Sequence, residues 1–271
     1  MSLTLVTGAS GFVGRQVVAR LIEAGCDIRV VARGHVPGIS DVVLTQDLFR
    51  ESPQFWRSAF EGVERVVHVA WYAEPGLYVT SPRNLDCMAG TLSMAIAAAE
   101  AGVSRFIGIG TCFEYDLARG YLTTATPLLP RSPYAAAKAG TYLALAQTLP
   151  HMGLSFAWCR LFYLYGDCED QRRLVPYLHS RLSRGQVAEL TSGRQVRDFL
   201  DVAEAGRRIA KVSMTGACGA INICSGQPVT VAELAGRIAD QYGRRDLLRF
   251  GVRPDNVEDP RCVIGEPSVI D

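Results

Sequence analysis

The chain has 271 residues, 48% hydrophobic and 20% charged, and its 28 basic and 27 acidic side chains leave a net charge of +1. That is the make-up of a folded protein with enough chain for one large domain or one and a half, and it excludes disorder and any long-range field that would draw nucleic acid or a membrane surface. Eight cysteines occur without a C-x-x-C pair, which removes a paired-thiol zinc knuckle, and no metal site is expected. No apolar run approaches membrane-span length and no basic leader precedes the first apolar segment, so a reducing cytoplasm is the expected compartment.

Short apolar runs at 3–6, 28–32, 65–70, 105–110 and 156–161 alternate with helical patterns at 12–24, 84–101 and 133–149. Runs apolar at consecutive positions are buried on both faces, so they predict a parallel sheet covered by helices on each side. The alternation is that of a doubly wound parallel α/β fold, a Rossmann sheet. After Gly166 the rhythm breaks into a polar, arginine-rich stretch, a helix near 175–183, short strands at "RDFLDV" and "INIC", and an amphipathic helix in "TVAELAGRIADQY". The expected division is a dinucleotide-binding domain at 1–166 and a smaller C-terminal α/β substrate lobe at 167–271, some of whose segments return to the first.

The stretch "VTGASGFVG" places Gly8, Gly11 and Gly14 between the first strand and a helix. Glycines there let the backbone turn, approach a pyrophosphate and pack helix on strand, while the helix N-terminus faces the anion. The second strand ends "VVARG", with no carboxylate for the adenosine ribose hydroxyls. Arg33 suits a 2′-phosphate, which favours NADP(H), with NAD(H) as the alternative. Asp47 in "TQDLF" is a candidate for the adenine amino group.

In "RSPYAAAKAGTY", Ser132 suits an N-cap and Pro133 the first helical position, so a helix starts near Tyr134. Residues four apart share a face, which puts the Tyr134 phenol beside the Lys138 ammonium. His68 lies inside an apolar strand and reads as buried structure; His35, His151 and His179 look peripheral. Asn84 opens the helix at 84–101 and reads first as a cap or structural residue.

The motifs "VTGASGFVG", "VVHVAW", "NLDCMAGTLSMAIAAAEAGVSRFIGIGT", "PYAAAK", "CRLFYLYG", "RDFLDV" and "INICSG" occur in an order and spacing that resemble the extended short-chain dehydrogenase/reductase family, in its branch of NAD(P)-dependent nucleotide-sugar epimerases, dehydratases and reductases. The resemblance implies that Tyr134 is the catalytic acid/base, that Lys138 binds the nicotinamide ribose and lowers the phenol's pKa, and that Thr111 in "GTCFEYD" bonds the reacting sugar oxygen. It places Gly8, Ser10, Gly11, Phe12, Val13 and Gly14 on the coenzyme's phosphates. The further coenzyme-binding positions expected are Arg33, Asp47, Leu48, Val69, Ala70, Trp71 and Phe162. On the substrate side it implies Thr111, Cys112, Phe113, Tyr163 (where the family commonly has asparagine) and Arg197, a planar donor suited to a diphosphate.

Family dehydratases carry Asp-Glu directly after the threonine. Cys112 and Phe113 cannot supply that proton chemistry, and Glu114 is displaced by one position, toward the opposite side of the segment. The leading reading is a reductase of a nucleotide-linked 4-keto-6-deoxy sugar, with NADPH delivering hydride to C4. A 4-epimerase holding NAD tightly is the alternative, and a nucleotide-binding sensor without turnover is the reading from another class. The resemblance also implies a homodimer through the helices at 84–101 and 133–149.

Overall fold

The structure is a computed structural model and describes residues 2–256 and 258–271. In chain order its elements are β1 (Leu3–Thr7), α1 (Phe12–Glu23), β2 (Asp27–Ala32), β3 (Asp41–Leu44), α2 (Pro53–Ala59), β4 (Val63–His68), α3 (Arg83–Glu100), β5 (Arg105–Thr111), β6 (Tyr121–Leu122) and α4 (Pro133–His151). They continue as β7 (Ser155–Leu161), β8 (Tyr163–Tyr165), α5 (Leu174–Ser183), β9 (Ala188–Glu189), β10 (Val196–Asp201), α6 (Val202–Met214), β11 (Gly219–Ile223), β12 (Pro228–Thr230), α7 (Val231–Gln241), β13 (Leu248–Arg249) and β14 (Cys262–Gly265).

Seven strands form one sheet in the order β11-β7-β5-β4-β1-β2-β3, and every neighbouring pair in it is parallel. The doubly wound sheet expected from the apolar runs is therefore present. One face is covered by α1 and α6, whose Val17, Leu21 and Ile209 are fully buried with Val6 and Ile107 of the sheet. The other carries α2, α3 and α4, with Trp56, Met94, Leu145 and Leu149 packed on Leu5, Val66 and Phe106. Burying side chains of this size stabilises by roughly 1.5–3 kcal/mol each.

A second sheet, β12-β10-β14-β6 with β8 against β10, carries the smaller lobe, whose core is built by α5 and α7. Residue 166 is crossed in both directions: β6 and β8 precede it and pair in the second sheet, while β11 follows it and closes the large sheet. Helix α6 has no counterpart among the helices expected from the sequence; it lies against α1 with Gly206 meeting Gln16, where a Cβ would stand 2.6 Å from the Gln16 Cβ. No described helix is long and apolar enough to cross a membrane.

His68, at the end of β4, is buried as expected and has a directed pair of partners. Thr91 Oγ1 donates to the Cys87 carbonyl, so it accepts from His68 Nε2–H at 2.9 Å. That leaves Nδ1 as the acceptor of the Thr7 hydroxyl at 2.7 Å, while Thr7 Oγ1 accepts from the Ala70 amide at 3.3 Å. The ring ties β1, β4 and α3 together only while neutral. Burial, helped by the Lys138 charge, lowers its pKa to about 3. An unfolded histidine takes its proton near pH ~6.5, so between those values the unfolded chain binds more protons and stability falls as pH falls. Urea unfolding from pH 7 to pH 3 should lose on the order of 4 kcal/mol attributable to this ring, and His68→Gln should flatten that part of the profile.

Candidate active site

The order of the large sheet reverses between β1 and β4, and the crevice beyond the C-terminal ends of the strands at such a switch point is the usual ligand position of these sheets. Gly8 adopts φ +71°, and a Cβ on it would lie 2.7 Å from the Ala70 amide nitrogen of the opposite loop. A Cβ on Gly14 would run into the Gly8 carbonyl oxygen. Gly11 caps α1 with backbone alone, so no side chain takes the first-turn amides and they remain available to an anion. The cradle expected from Gly8 to Gly14, with Ser10, Phe12 and Val13 in it, therefore fits a pyrophosphate. Among the described residues no cluster of His, Cys, Asp or Glu is arranged to hold a metal ion.

Arg33 follows β2 directly, is exposed, and has no ion-pair partner among the described residues. Asp47 has local work: its carboxylate accepts from the Phe49 amide at 3.1 Å and faces Arg50. Leu48 packs against the core beneath α2 and α3. Val69 and Ala70 line the crevice wall opposite Gly8. Phe162 is buried beside Cys112, Cys224 and Val263, in the apolar cluster between the two sheets.

Helix α4 starts as its sequence predicts, with Ser132 Oγ accepting from the Ala135 amide and Pro133 at the first position. Tyr134 and Lys138 project from one face toward the end of β5, where Thr111 is buried. Thr111 Oγ1 accepts from the Phe113 amide at 3.3 Å, which leaves its O–H free to donate. Tyr134 is half-buried; its ring meets Tyr78 edge-on with centroids 4.8 Å apart, and its amide donates to the Val79 carbonyl. Asn84 is the clip for this loop: Nδ2 donates to the Tyr78 and Ser81 carbonyls while Oδ1 accepts from the Trp71 indole.

One expectation needs correcting. Tyr134 is not a depressed phenol within the protein itself: burial pushes it well above its ordinary value, Tyr78 and Glu114 add to this, and only the Thr111 hydroxyl works the other way. Lys138 is engaged elsewhere. Its ammonium donates to the Ile109 carbonyl and sits 3.7 Å from the Trp71 ring centroid, and burial lowers it to about 7. Trp71, expected against the coenzyme, lies beside the Lys138 ammonium.

On the substrate side Cys112 is a packed thiol, pushed by burial and then by Glu114 up to about 12. Phe113 and Phe199 meet the Tyr163 ring edge-on, and the buried Tyr163 hydroxyl has no partner among the described residues. Arg197 is buried, with its guanidinium 5.1 Å from the Tyr163 centroid. It does not pair with Asp198 or Asp201. Asp198 gathers the Ser225, Gly226 and Gly265 amides, Asp201 caps α6, and Arg197 meets Asp259 at 2.6 Å.

Glu114 is turned away from the crevice, as its position implied, into a buried ion pair with Arg160 at 2.7 Å. Its carboxylate also accepts from the Thr111 amide at 2.8 Å and the Trp158 indole at 3.0 Å. Arg160 reaches the Tyr115 hydroxyl, which donates to Asn222 of β11. Sequence reading missed Trp158, Arg160, Asn222 and Asp259. One signal was present: Gly108 and Gly110, two apart in β5, face the same side, and a Cβ on either would strike the Trp158 ring.

A model of the NAD dependent epimerase/dehydratase family matches residues 4–224. The chain is 26% identical to a dTDP-6-deoxy-L-talose 4-dehydrogenase (NAD(+)) of Aggregatibacter actinomycetemcomitans, over 96% of this chain and 98% of that protein. It is 31% identical to a dTDP-glucose 4,6-dehydratase of Streptomyces griseus, over 88% of this chain and 78% of that protein. Among solved structures, the UDP-glucose 4-epimerase of Thermotoga maritima superposes with a TM-score of 0.84 at 24% identity, covering 98% of this chain and 90% of that one.

The glycine-cleared seat of Trp158 can be tested without any ligand. Gly110→Ala would drive a Cβ into the indole nitrogen and the Glu114 carboxylate, and should cost about 1–3 kcal/mol as overpacking, read as a lower midpoint in thermal or urea unfolding.

Proposed function

The chain belongs to the NAD dependent epimerase/dehydratase family and acts within its nucleotide-sugar chemistry, and on that premise we propose that it reduces a nucleotide-linked 4-keto-6-deoxy sugar at C4. The observation that carries this reading is the content of the crevice. Thr111, Tyr134 and Lys138 converge there, while the two positions after Thr111 hold a neutral thiol and a phenyl ring and the nearest carboxylate, Glu114, is committed to Arg160. A dehydratase needs an acid and a base at those positions; a carbonyl reductase needs one proton donor. The talose dehydrogenase, matched over nearly its whole length, and a Streptomyces dTDP-4-dehydro-6-deoxy-D-allose reductase, 24% identical, are named for redox chemistry on 6-deoxy sugars, which supports the same reading.

The Gly8–Gly14 cradle would hold the coenzyme, which would supply the hydride when bound. The Thr111 O–H bonds the carbonyl oxygen and holds it against Tyr134. The Tyr134 Oη–H gives its proton to that oxygen as it becomes the C4 hydroxyl. The phenol is protonated in the protein alone, so it carries the proton that a reduction consumes, while its raised pKa makes it a weak acid that relies on the Thr111 hydroxyl, the one group lowering it. Arg197 and the free Tyr163 hydroxyl take the polar part of the substrate. Arg33, unpaired after β2, favours NADP(H) by offering a planar cation to a 2′-phosphate, although the talose relative is named for NAD(+).

We place a homodimer interface on the outer face of α3 and α4. These helices pack closely on each other, with Gly140 against Met88, and still leave Leu85 and Leu143 more than half exposed among alanines. Leu143→Asp should convert a dimer into a monomer by light scattering, without lowering the unfolding midpoint of the subunit by more than a few degrees.

A dTDP-4-keto-6-deoxyhexose offered with NADPH and, separately, NADH should give net coenzyme oxidation, faster with NADPH. Tyr134→Phe should lower kcat by about 10²–10⁴-fold and leave coenzyme affinity within a few-fold. Interconversion of 4-hydroxy sugars without net oxidation would instead identify a 4-epimerase.

A further inference from the structure

We propose that Glu114 is a positioning residue of the acid–base set: it fixes Thr111 through the backbone and, through the indole of Trp158, holds the Lys138 side chain as an ammonium. The inference deepens the reductase reading and rests on it for the importance of Thr111, Tyr134 and Lys138, but its geometry stands alone.

Glu114 is fully buried and surrounded by donors only: the Thr111 amide, the Trp158 indole and Arg160 Nε. It is therefore held as a carboxylate, and a buried carboxylate acts over a longer range than an exposed one. Trp158 lies between this charge and Lys138. Its N–H donates to Glu114 at 3.0 and 3.2 Å, and Lys138 Nζ stands 5.6 Å from its ring centroid. An indole whose N–H is engaged by an anion has a more electron-rich face, which attracts a cation. Gly108 and Gly110 leave the room that lets the ring lie flat on β5. Three independent sequence features, two glycines and a glutamate, thus serve one indole.

Lys138 needs such support because burial alone favours its neutral form, and the Glu114 charge is the strongest group opposing this. The other titratable groups around it are weak counter-ions. His68 on β4 is neutral, with its pKa near 3, and Cys87 on α3 is a thiol raised by burial. Tyr134 on its own helix is a raised phenol, and Arg160 on β7 is a like charge that Glu114 masks. Trp71 from the loop after β4 adds a second aromatic face.

The test uses an accident of composition. Lys138 and Lys211 are the only lysines among the 28 basic residues. Protein labelled with carbon-13 lysine gives two Cε signals, Lys211→Arg assigns them, and the Cε shift follows Nζ protonation with no substrate present. Glu114→Gln should lower the Lys138 titration midpoint by about one pH unit or more. Trp158→Phe, which keeps the ion pair and the aromatic face but removes the indole donor, should lower it by roughly half a unit. A merely structural Glu114 would leave the titration where it is. Unchanged midpoints in both variants overturn the proposal, and a shift in Glu114→Gln with none in Trp158→Phe overturns the indole's part in it. Neither result depends on which sugar the enzyme reduces, so the reductase reading stands or falls separately in the turnover assay.

Discussion

The ion pair between Glu114 and Arg160 is the constraint around which the rest of this molecule is arranged. Two charges are taken wholly out of water, an arrangement that is favourable only when every remaining donor and acceptor finds a partner. Here nearly all do, and the partners come from far apart in the chain: the Thr111 amide at the end of β5, the Trp158 indole on β7, and the Tyr115 phenol that continues to Asn222 on β11. Asn222 then donates to the Leu122 and Glu266 carbonyls beside the smaller sheet. One buried pair therefore links the end of β5, the edge of the large sheet and the seam with the second lobe. Losing one member alone would leave an uncompensated charge, a change on the order of 3–5 kcal/mol in a buried site.

The same pair explains why chemistry can sit where it does. Catalytic side chains at the C-terminal ends of parallel strands lie on loops, and loops need an anchor if they are to hold a proton donor in place. The turn after β5 is anchored from beneath by Glu114, the loop after β4 by Asn84, and the start of α4 by the Ser132 cap. Between them the Tyr134 phenol is left half-buried and protonated, facing Tyr78 and Thr111.

Much of this was legible in the chain. Continuous apolar runs predict strands buried on both faces, and the large sheet contains all of them; the glycine spacing 8, 11 and 14 predicts a phosphate cradle, and at 8 and 14 a Cβ would strike neighbouring backbone. Ser132-Pro133 marks a helix start through local hydrogen bonding, which needs no tertiary knowledge. What stayed hidden depends on residues distant in sequence. The partner of Glu114 is 46 positions away and that of Arg197 is Asp259, and neither spacing carries a periodicity. Lys138 beside Tyr134 suggests a depressed phenol by helical geometry, yet its ammonium is drawn to Ile109 and Trp71, a competition no local pattern reveals. Helix α6 was missed because its polar face dominates a composition reading, although its apolar stripe is what covers α1.

The weaving of the two sheets has a consequence for how the protein is made. Strand β11 completes the large sheet only after β8, β9 and β10 have been synthesised, and β6, formed near residue 121, has no partner until β14 near residue 264 leaves the ribosome. The large sheet therefore closes first, at β11, and the smaller one only when β14 arrives, so a nascent chain carries the unpaired edges of β7 and then of β6 through much of its elongation.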